Sequence, residues 1–252
     1  LIAIPTTAGS GSEMTAAAVI EDKQKNVKLS ITSPYLVPKI AVIDPQLQTG
    51  MPPFITATTG MDALTHAIES YVSKRENPVA DLFALKAIKL IARSIRAATA
   101  DGNDIQARAD MALASTLAGV AFMNGGLGIV HGISQTMGAI AHVAHGEANA
   151  LLLPYCMEKN APACPERFRD IAQALGEDVL TRSSEEAAKL AAKAAFRLAE
   201  DLHIPTKLHE VGVTREMFDA IVEGTMAYRM LAINPMKITE QDVRDILEAA
   251  YA

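Results

Sequence analysis

Aromatic side chains make up only 4% of the 252 residues, and alternating runs of Val, Tyr and Phe are few. A sheet-dominated core is therefore not expected, and the abundant Ala and Leu favour packed helices. There is no basic cluster, and the formal charge is −6 with a pI of about 5.5, which argues against a nucleic-acid partner. No apolar run reaches the length of a membrane span, and no signal peptide precedes Leu1. Cys156 and Cys164 are the only cysteines. Their spacing matches neither a zinc ribbon nor a CxxC redox pair. Two ordinary cysteines in a chain of this size suit a reducing compartment, so a cytoplasmic location is expected. There is also no Walker A loop, no G-x-G-x-x-G, no H-E-x-x-H and no internal repeat.

Half of the residues are apolar, enough for a substantial core in one large domain or somewhat more. The first fifty residues are mixed. Leu1–Pro5 reads as a strand entered in mid-fold. Ala16–Ile20 and Val27–Ile31 read as a hairpin with Glu21–Asn26 as its polar turn, and Lys39–Ile43 as a further strand ended by Asp44-Pro45. Pro52-Pro53 marks a boundary. Beyond it the pattern is helical, with helices expected over Pro53–Val72, Pro78–Ala98, Asp104–Asn124, Leu127–Ile140, His145–Asn160, Pro165–Leu175, Ser184–Leu202, Thr214–Glu223 and Thr239–Tyr251. Hydroxyl and acidic residues at Ser183-Ser184-Glu185-Glu186 and Thr214-Arg215-Glu216 are helix start signals. The expected fold is mainly α: the C-terminal remnant of an α/β dinucleotide-binding domain over residues 1–50, then an all-helical metal-binding domain over 51–252.

Four side chains carry the chemistry. Asp62 and His66 lie four apart in TATTGMDALTHAIESYVS, where Ile55, Met61, Leu64, Ile68 and Val72 recur near helical spacing. Positions i and i+4 share a helix face, so both can reach one ion. His131 and His145 follow, fourteen apart, in LGIVHGISQTMGAIAHVAHGEANALLLP. On one straight helix they would be separated by roughly 21 Å at about 1.5 Å per residue, which no single ion spans. Both are ligands only if the chain breaks between them. Small residues at Gly138, Ala139, Ala141 and Ala144 allow a bend near residue 140 and a new helix from His145. Ligand atoms are then expected within about 2.0–2.2 Å of one ion position.

The sequence resembles the iron-containing (group III) alcohol dehydrogenases, which share a dehydroquinate synthase-like architecture. The resemblance rests on TGMDALTHAIE, His131-Gly132, His145-Gly146 and Asn149-Ala150-Leu151-Leu152-Leu153-Pro154, in that order. It begins at Pro5 in PTTAGSGSEMT, runs through IAVIDPQL and GMPP, and thins after about residue 165. It implies hydride transfer between a small alcohol or aldehyde and a nicotinamide cofactor, NAD with NADP also open. Asp62, His66, His131 and His145 would be both the metal ligands and the catalytic residues. It further implies cofactor contacts from Thr6, Thr7, Thr15 and Lys28, and association into a homo-oligomer. The family's Gly-Gly-Gly-Ser phosphate loop has no counterpart here, so the chain reads as the last two-thirds of such an enzyme.

Two positions depart from the family. Gln135 stands where many members carry a His near the nicotinamide, four residues after the third ligand. Gln135 can hydrogen-bond to the cofactor but cannot take a proton at neutral pH. His142 lies two turns further on, where a supporting or surface position is expected. Ala144 replaces a common Pro, so the bend must hold without it.

A divalent ion would polarise the alcohol oxygen. Three nitrogens and one oxygen suit Fe(II), Zn or another divalent ion, so iron rests on the resemblance. Read without it, PTTAGSGSEMT is a tight turn with a Ser10-x-x-Glu13 capping box, and Lys28 a solvated strand charge. Two other classes compete. A metal-dependent hydrolase would use the same ligands, with His142-x-x-His145-Gly146-Glu147 as the nearest substitute for a missing hydrolase motif. A non-catalytic helical scaffold would leave the Thr/Gly loop and the histidines unexplained.

Overall fold

Pro53 occupies the first turn of a helix, where its missing N–H costs nothing, and a strand-bearing segment gives way there to helices. The computed structural model describes residues 1–22 and 27–252, with backbone alone at 21–22 and 27–30. Among the described residues, every strand lies before the helices. β1 (Ile2–Ala3) pairs in parallel with β4 (Ile40–Ala41), Ile2 opposite Ile40. β2 (Ala17–Asp22) and β3 (Val27–Thr32) form an antiparallel hairpin, registered from Ala17 opposite Thr32 to Asp22 opposite Val27. Glu21 and Asp22, expected in the turn, continue the strand instead; residues 23–26 of that turn lie outside the described residues.

Helices α1 (Pro53–Val72), α2 (Pro78–Ala100), α3 (Ile105–Gly125), α4 (Ile129–Ile140), α5 (His145–Asn160), α6 (Pro165–Ala174), α7 (Ser184–Asp201), α8 (Phe218–Met226) and α9 (Glu240–Tyr251) follow. N-cap side chains fix the starts of α2, α3, α7 and α9. Asn77 accepts from Val79 and Ala80 to start α2, and Asp104 accepts from Ala107 to start α3, each satisfying otherwise orphaned N–H groups. Ser183 and Glu186 form the expected start of α7 as a reciprocal capping box. The helix expected over Thr214–Glu223 differs: its first turn is 3-10 over Arg215–Met217, and α8 begins at Phe218.

α1 is the axis of the molecule. It is buried from Thr56 onward on nearly every side, as a helix must be when neighbours cover all its faces. α2, α3 and α5 pack on it. Alanines set the spacing: Ala57, Ala63 and Ala67 of α1, Ala84 and Ala87 of α2, and Ala114, Ala118 and Ala121 of α3 are wholly buried. α3 and α4 meet at 104°, across Gly126 with φ 89°. No single helix among the described residues is long and apolar enough to cross a membrane.

The Gly/Thr/Ser loop after β1 is held by close backbone contact. Gly11 has φ 57°. A Cβ on it would lie 2.7 Å from the Cα of Gly119 in α3, and one on Gly9 would meet Thr59 of α1 at 2.8 Å. The Ser10-x-x-Glu13 capping box does not form. The short 3-10 turn Ser12–Met14 starts at Gly11 without a side-chain cap, and Glu13 accepts from the Thr116 hydroxyl at 2.7 Å instead. The loop is thereby fastened to α3, where the capping box would have bonded it only to itself.

These contacts predict a contrast measurable by denaturant unfolding. Gly119→Ala places a Cβ 2.7 Å from the Gly11 carbonyl oxygen and is expected to lower stability by about 1–3 kcal/mol, the usual penalty for overpacking. Gly50→Ala, with nothing within 4 Å, is expected to leave stability within about 0.5 kcal/mol.

Candidate metal centre

α1 supplies Asp62 and His66, α4 supplies His131, and α5 opens on His145. The expected break between the two later histidines is present. α4 ends at Ile140, and His142 adopts φ 56°. Ala144 then enters α5 with φ −61° and ψ 139°. That φ is the one a proline ring would impose, so alanine holds the bend in the same conformation. Gly146 lets α5 approach α1: a Cβ there would lie 2.7 Å from the Thr58 carbonyl oxygen.

The four side chains converge. One ligand atom from each lies within 4.8 Å of all the others. Asp62 Oδ1 is 3.7 Å from His66 Nε2, 3.9 Å from His131 Nε2 and 3.8 Å from His145 Nε2. Donors around one ion with bonds of about 2.1 Å stand about 3.0–3.4 Å apart, so a small inward movement closes the shell. His66 stacks between Phe122, at 4.5 Å, and His131, at 4.7 Å. Burial pushes the His66 imidazole towards its neutral, metal-ligating form. Burial also opposes ionisation of Asp62, but His66, His145, His131 and the Asn149 amide outweigh it and hold the carboxyl below its usual range. The centre is closed on three sides. The side chains of Asp62, His66 and His131 are 8%, 6% and 2% exposed, that of His145 36%.

Three neighbours escaped the reading of the sequence. Glu69, buried on α1, accepts from His131 Nδ1 at 2.6 Å through Oε2 and from the Val130 backbone N–H at 2.7 Å through Oε1. This fixes the proton on Nδ1 and turns the Nε2 lone pair towards Asp62. A signal existed: Glu69 is seven residues after Asp62, on the same helix face. Asn149 donates to Asp62 Oδ1 at 2.6 Å; it is one turn after His145, within a stretch read only as part of a motif. Phe122, from α3, carries no sequence signal.

The positions expected to face a cofactor are distributed differently. Thr6 and Thr7 are exposed in the loop after β1. That loop is held against α1 at Gly9, which packs on Thr59. Thr15 is buried and its hydroxyl donates to the Ser12 carbonyl. Gln135 is half-buried on α4, one turn after His131. His142 is exposed at the bend. The backbone of Lys28 lies in β3; its side chain lies outside the described residues.

The profile described as "Fe-containing alcohol dehydrogenase family, C-terminal" matches residues 56–251. The chain belongs to this family. A second profile, "Iron-containing alcohol dehydrogenase", matches residues 1–45. The 1,3-propanediol dehydrogenase of Klebsiella pneumoniae is 43% identical over 251 residues, covering 100% of this chain and 65% of its own length. The crystal structure of a 1,3-propanediol oxidoreductase superposes with a TM-score of 0.97 at 43% identity, over 99% of this chain and 65% of its own. Sulfoacetaldehyde reductase from Bifidobacterium kashiwanohense, solved in complex with NAD+, superposes with a TM-score of 0.90 at 32% identity, over 100% of this chain and 64% of its own. The chain thus spans just under two-thirds of the length of these relatives.

Glu69 offers a test of the centre in this chain. Two donors point at its two carboxylate oxygens, whereas glutamine has one acceptor oxygen. Glu69→Gln is expected to weaken Co(II) or Fe(II) binding by about 10–100-fold, read by chelator competition, with the far-UV circular dichroism unchanged.

Proposed function

We propose that this chain is the metal-binding part of a nicotinamide-dependent alcohol dehydrogenase that exchanges hydride between a small alcohol or aldehyde and NAD(H) or NADP(H). The observation that carries the reading is the convergence of Asp62, His66, His131 and His145 within 4.8 Å from three helices. The donor set fits a divalent ion: three imidazoles and one carboxylate, with Glu69 holding one imidazole in the ligating tautomer. Iron is the ion favoured by family membership, and the same donors accept zinc. NAD is favoured by the relative solved with NAD+.

When bound, such an ion supplies Lewis acidity, lowering the pKa of an alcohol or polarising an aldehyde. The residues around it divide the remaining work. Asp62, His66 and His131 form a buried floor that excludes water. His145 forms the open rim, and the substrate oxygen enters beside it. Gln135 offers an amide to the carboxamide of a nicotinamide but cannot carry the alcohol proton. That proton leaves through solvent on the His145 side. Thr6 and Thr7, exposed in the loop after β1, Thr15 within that loop and Lys28 on β3 would contact the cofactor, a role carried over from the family.

The division into a cofactor-domain remnant over 1–50 and a metal domain over 51–252 belongs to the same reading. The apolar side chains of Ile2, Ile4, Val19, Ile31 and Ile40 are exposed, as expected where further layers of an α/β domain would cover them. A cytoplasmic location is supported by two unpaired cysteines, and homo-oligomerisation is carried over with the family. A hydrolase is not favoured, because every relative described above is a dehydrogenase, oxidoreductase or reductase by name.

The test has two stages. The 252-residue chain is expected to bind one Fe(II) or Co(II) per molecule, stabilising it by about 2.7 kcal/mol at a hundredfold excess over Kd. Asp62→Ala and His131→Ala should each abolish that shift. A form extended to the length of the relatives is then assayed at 340 nm with Fe(II), NAD(H) or NADP(H), and small alcohols and aldehydes. It should turn over, whereas the present chain should be about 100-fold slower, because small misplacements of reacting atoms carry that penalty. No turnover by the extended form with any substrate would refute the dehydrogenase reading.

A further inference from the structure

Asn234 lies in the stretch of sequence where the family motifs have thinned out. It follows the 3-10 turn Arg229–Ile233 and is buried. Both ends of its amide are fully used. Oδ1 accepts from the Ile129 backbone N–H and from Asn160 Nδ2, each at 3.2 Å. Nδ2 donates to Asn160 Oδ1 at 2.7 Å and to the Met236 carbonyl at 2.9 Å. Turning the amide over would set its NH2 group against the Ile129 N–H, so the partners fix its orientation.

Ile233 and Asn234 together touch every helix that carries a metal donor. The Ile233 carbonyl accepts from the Lys74 backbone N–H at 2.9 Å, just beyond the end of α1. Asn234 meets the first residue of α4 at Ile129 and the last residue of α5 at Asn160. Contact is tightest at Gly128, where a Cβ would lie 2.7 Å from Asn234 Oδ1 and 3.1 Å from Glu69 Oε1. Two acceptors from distant parts of the chain thus converge on the start of α4, whose own N-cap offers none. Asn234 takes the N–H of Ile129, and Glu69 takes that of Val130. His131 is the next residue.

One anchor leaves a helix end free to pivot, whereas two on successive residues fix its direction. We infer that Asn234 is a positioning residue of the metal centre: by seating the first turn of α4 it sets where the His131 Nε2 lone pair points. The inference rests on the four-ligand reading and gives the C-terminal segment a part in it. Asn234 bonds to none of the four donors and acts only through α4. A purely structural role would lower the stability of the chain without changing the affinity of folded molecules for an ion.

Co(II) affinity, read by chelator competition, separates the two roles. Circular dichroism checks folding, and denaturant unfolding gives the stability of the metal-free chain. Asn234→Ala removes the acceptor for Ile129 and is expected to weaken Co(II) binding about tenfold. Asn160→Ala breaks only the paired amide and leaves Asn234 held by the Met236 carbonyl. It should lower the stability of the metal-free chain but keep Co(II) affinity within about twofold of wild type. In a Glu69→Gln background the His131 ring is already loosened, so Asn234→Ala should weaken binding by less than about threefold more. If Asn234→Ala does not fold, Asn234→Ser, too short to reach Ile129, replaces it with the same expectations. Unchanged Co(II) affinity in the folded Asn234 variant would overturn the inference and leave the four-ligand site intact. So would losses that multiply in full with Glu69→Gln, or an Asn160→Ala variant weakened as much as the Asn234 one. A wild-type chain that binds no Co(II) would overturn the four-ligand site and the positioning role with it.

Discussion

A single buried carboxylate joins the two halves of the centre. Oε1 of Glu69 takes the Val130 N–H at the start of α4, and Oε2 takes the His131 Nδ1 proton. The first contact supplies a cap that α4 does not make for itself, since Gly128 at its N-cap has no side chain to offer. Asn234 completes the cap through the Ile129 N–H. A helix start and a ligand orientation are thus decided by the same side chain, which α1 holds rigidly because α1 is buried all round. Removing either oxygen leaves a buried donor unpaired, at about 1–3 kcal/mol, and frees the ring it aims.

Close backbone approach makes this possible. Gly128 leaves room for the Glu69 carboxylate, Gly125 for Ser70, and Gly146 for the Thr58 carbonyl. Gly125 ends α3, Gly128 caps α4 and Gly146 lies in the first turn of α5, each in close contact with a residue of α1. Together with the alanines of the core they draw the helices close enough for short side chains such as Asp62 and Asn149 to meet across them. Longer core residues would separate the same helices and pull the ligands apart.

Local patterns in the chain carried most of this architecture. The bounds of α1 and α5 match those expected from periodicity, because proline at one and a bend at the other punctuate them. The pairing of Asp62 with His66 followed from helical spacing alone. The break before His145 followed from a distance no ion can span. What escaped was tertiary. Glu13 leaves its local hydroxyl partner because Gly11 turns left-handed against Gly119 and carries it to Thr116. Glu69 reads as an ordinary helix acid until α4 is laid across it. Phe122 and Asn149 acquire meaning only when α3 and α5 are placed around His66. Periodicity reports one face of one helix, and these contacts lie between helices.

The unequal exposure of the four donors has a kinetic consequence. An ion in this cradle has three walls built into a packed core and one formed by His145, on the first turn of α5 beside the bend at residues 141–144. Leaving through the core would require α1 or α4 to separate from its neighbours, which is close to unfolding. Leaving past His145 would cross only the partly exposed side of the centre. Exchange of a bound ion with the surrounding solution would therefore run past His145, so that substitutions at residues 141–144 would alter residence time while those at Asp62, His66 and His131 would alter binding strength.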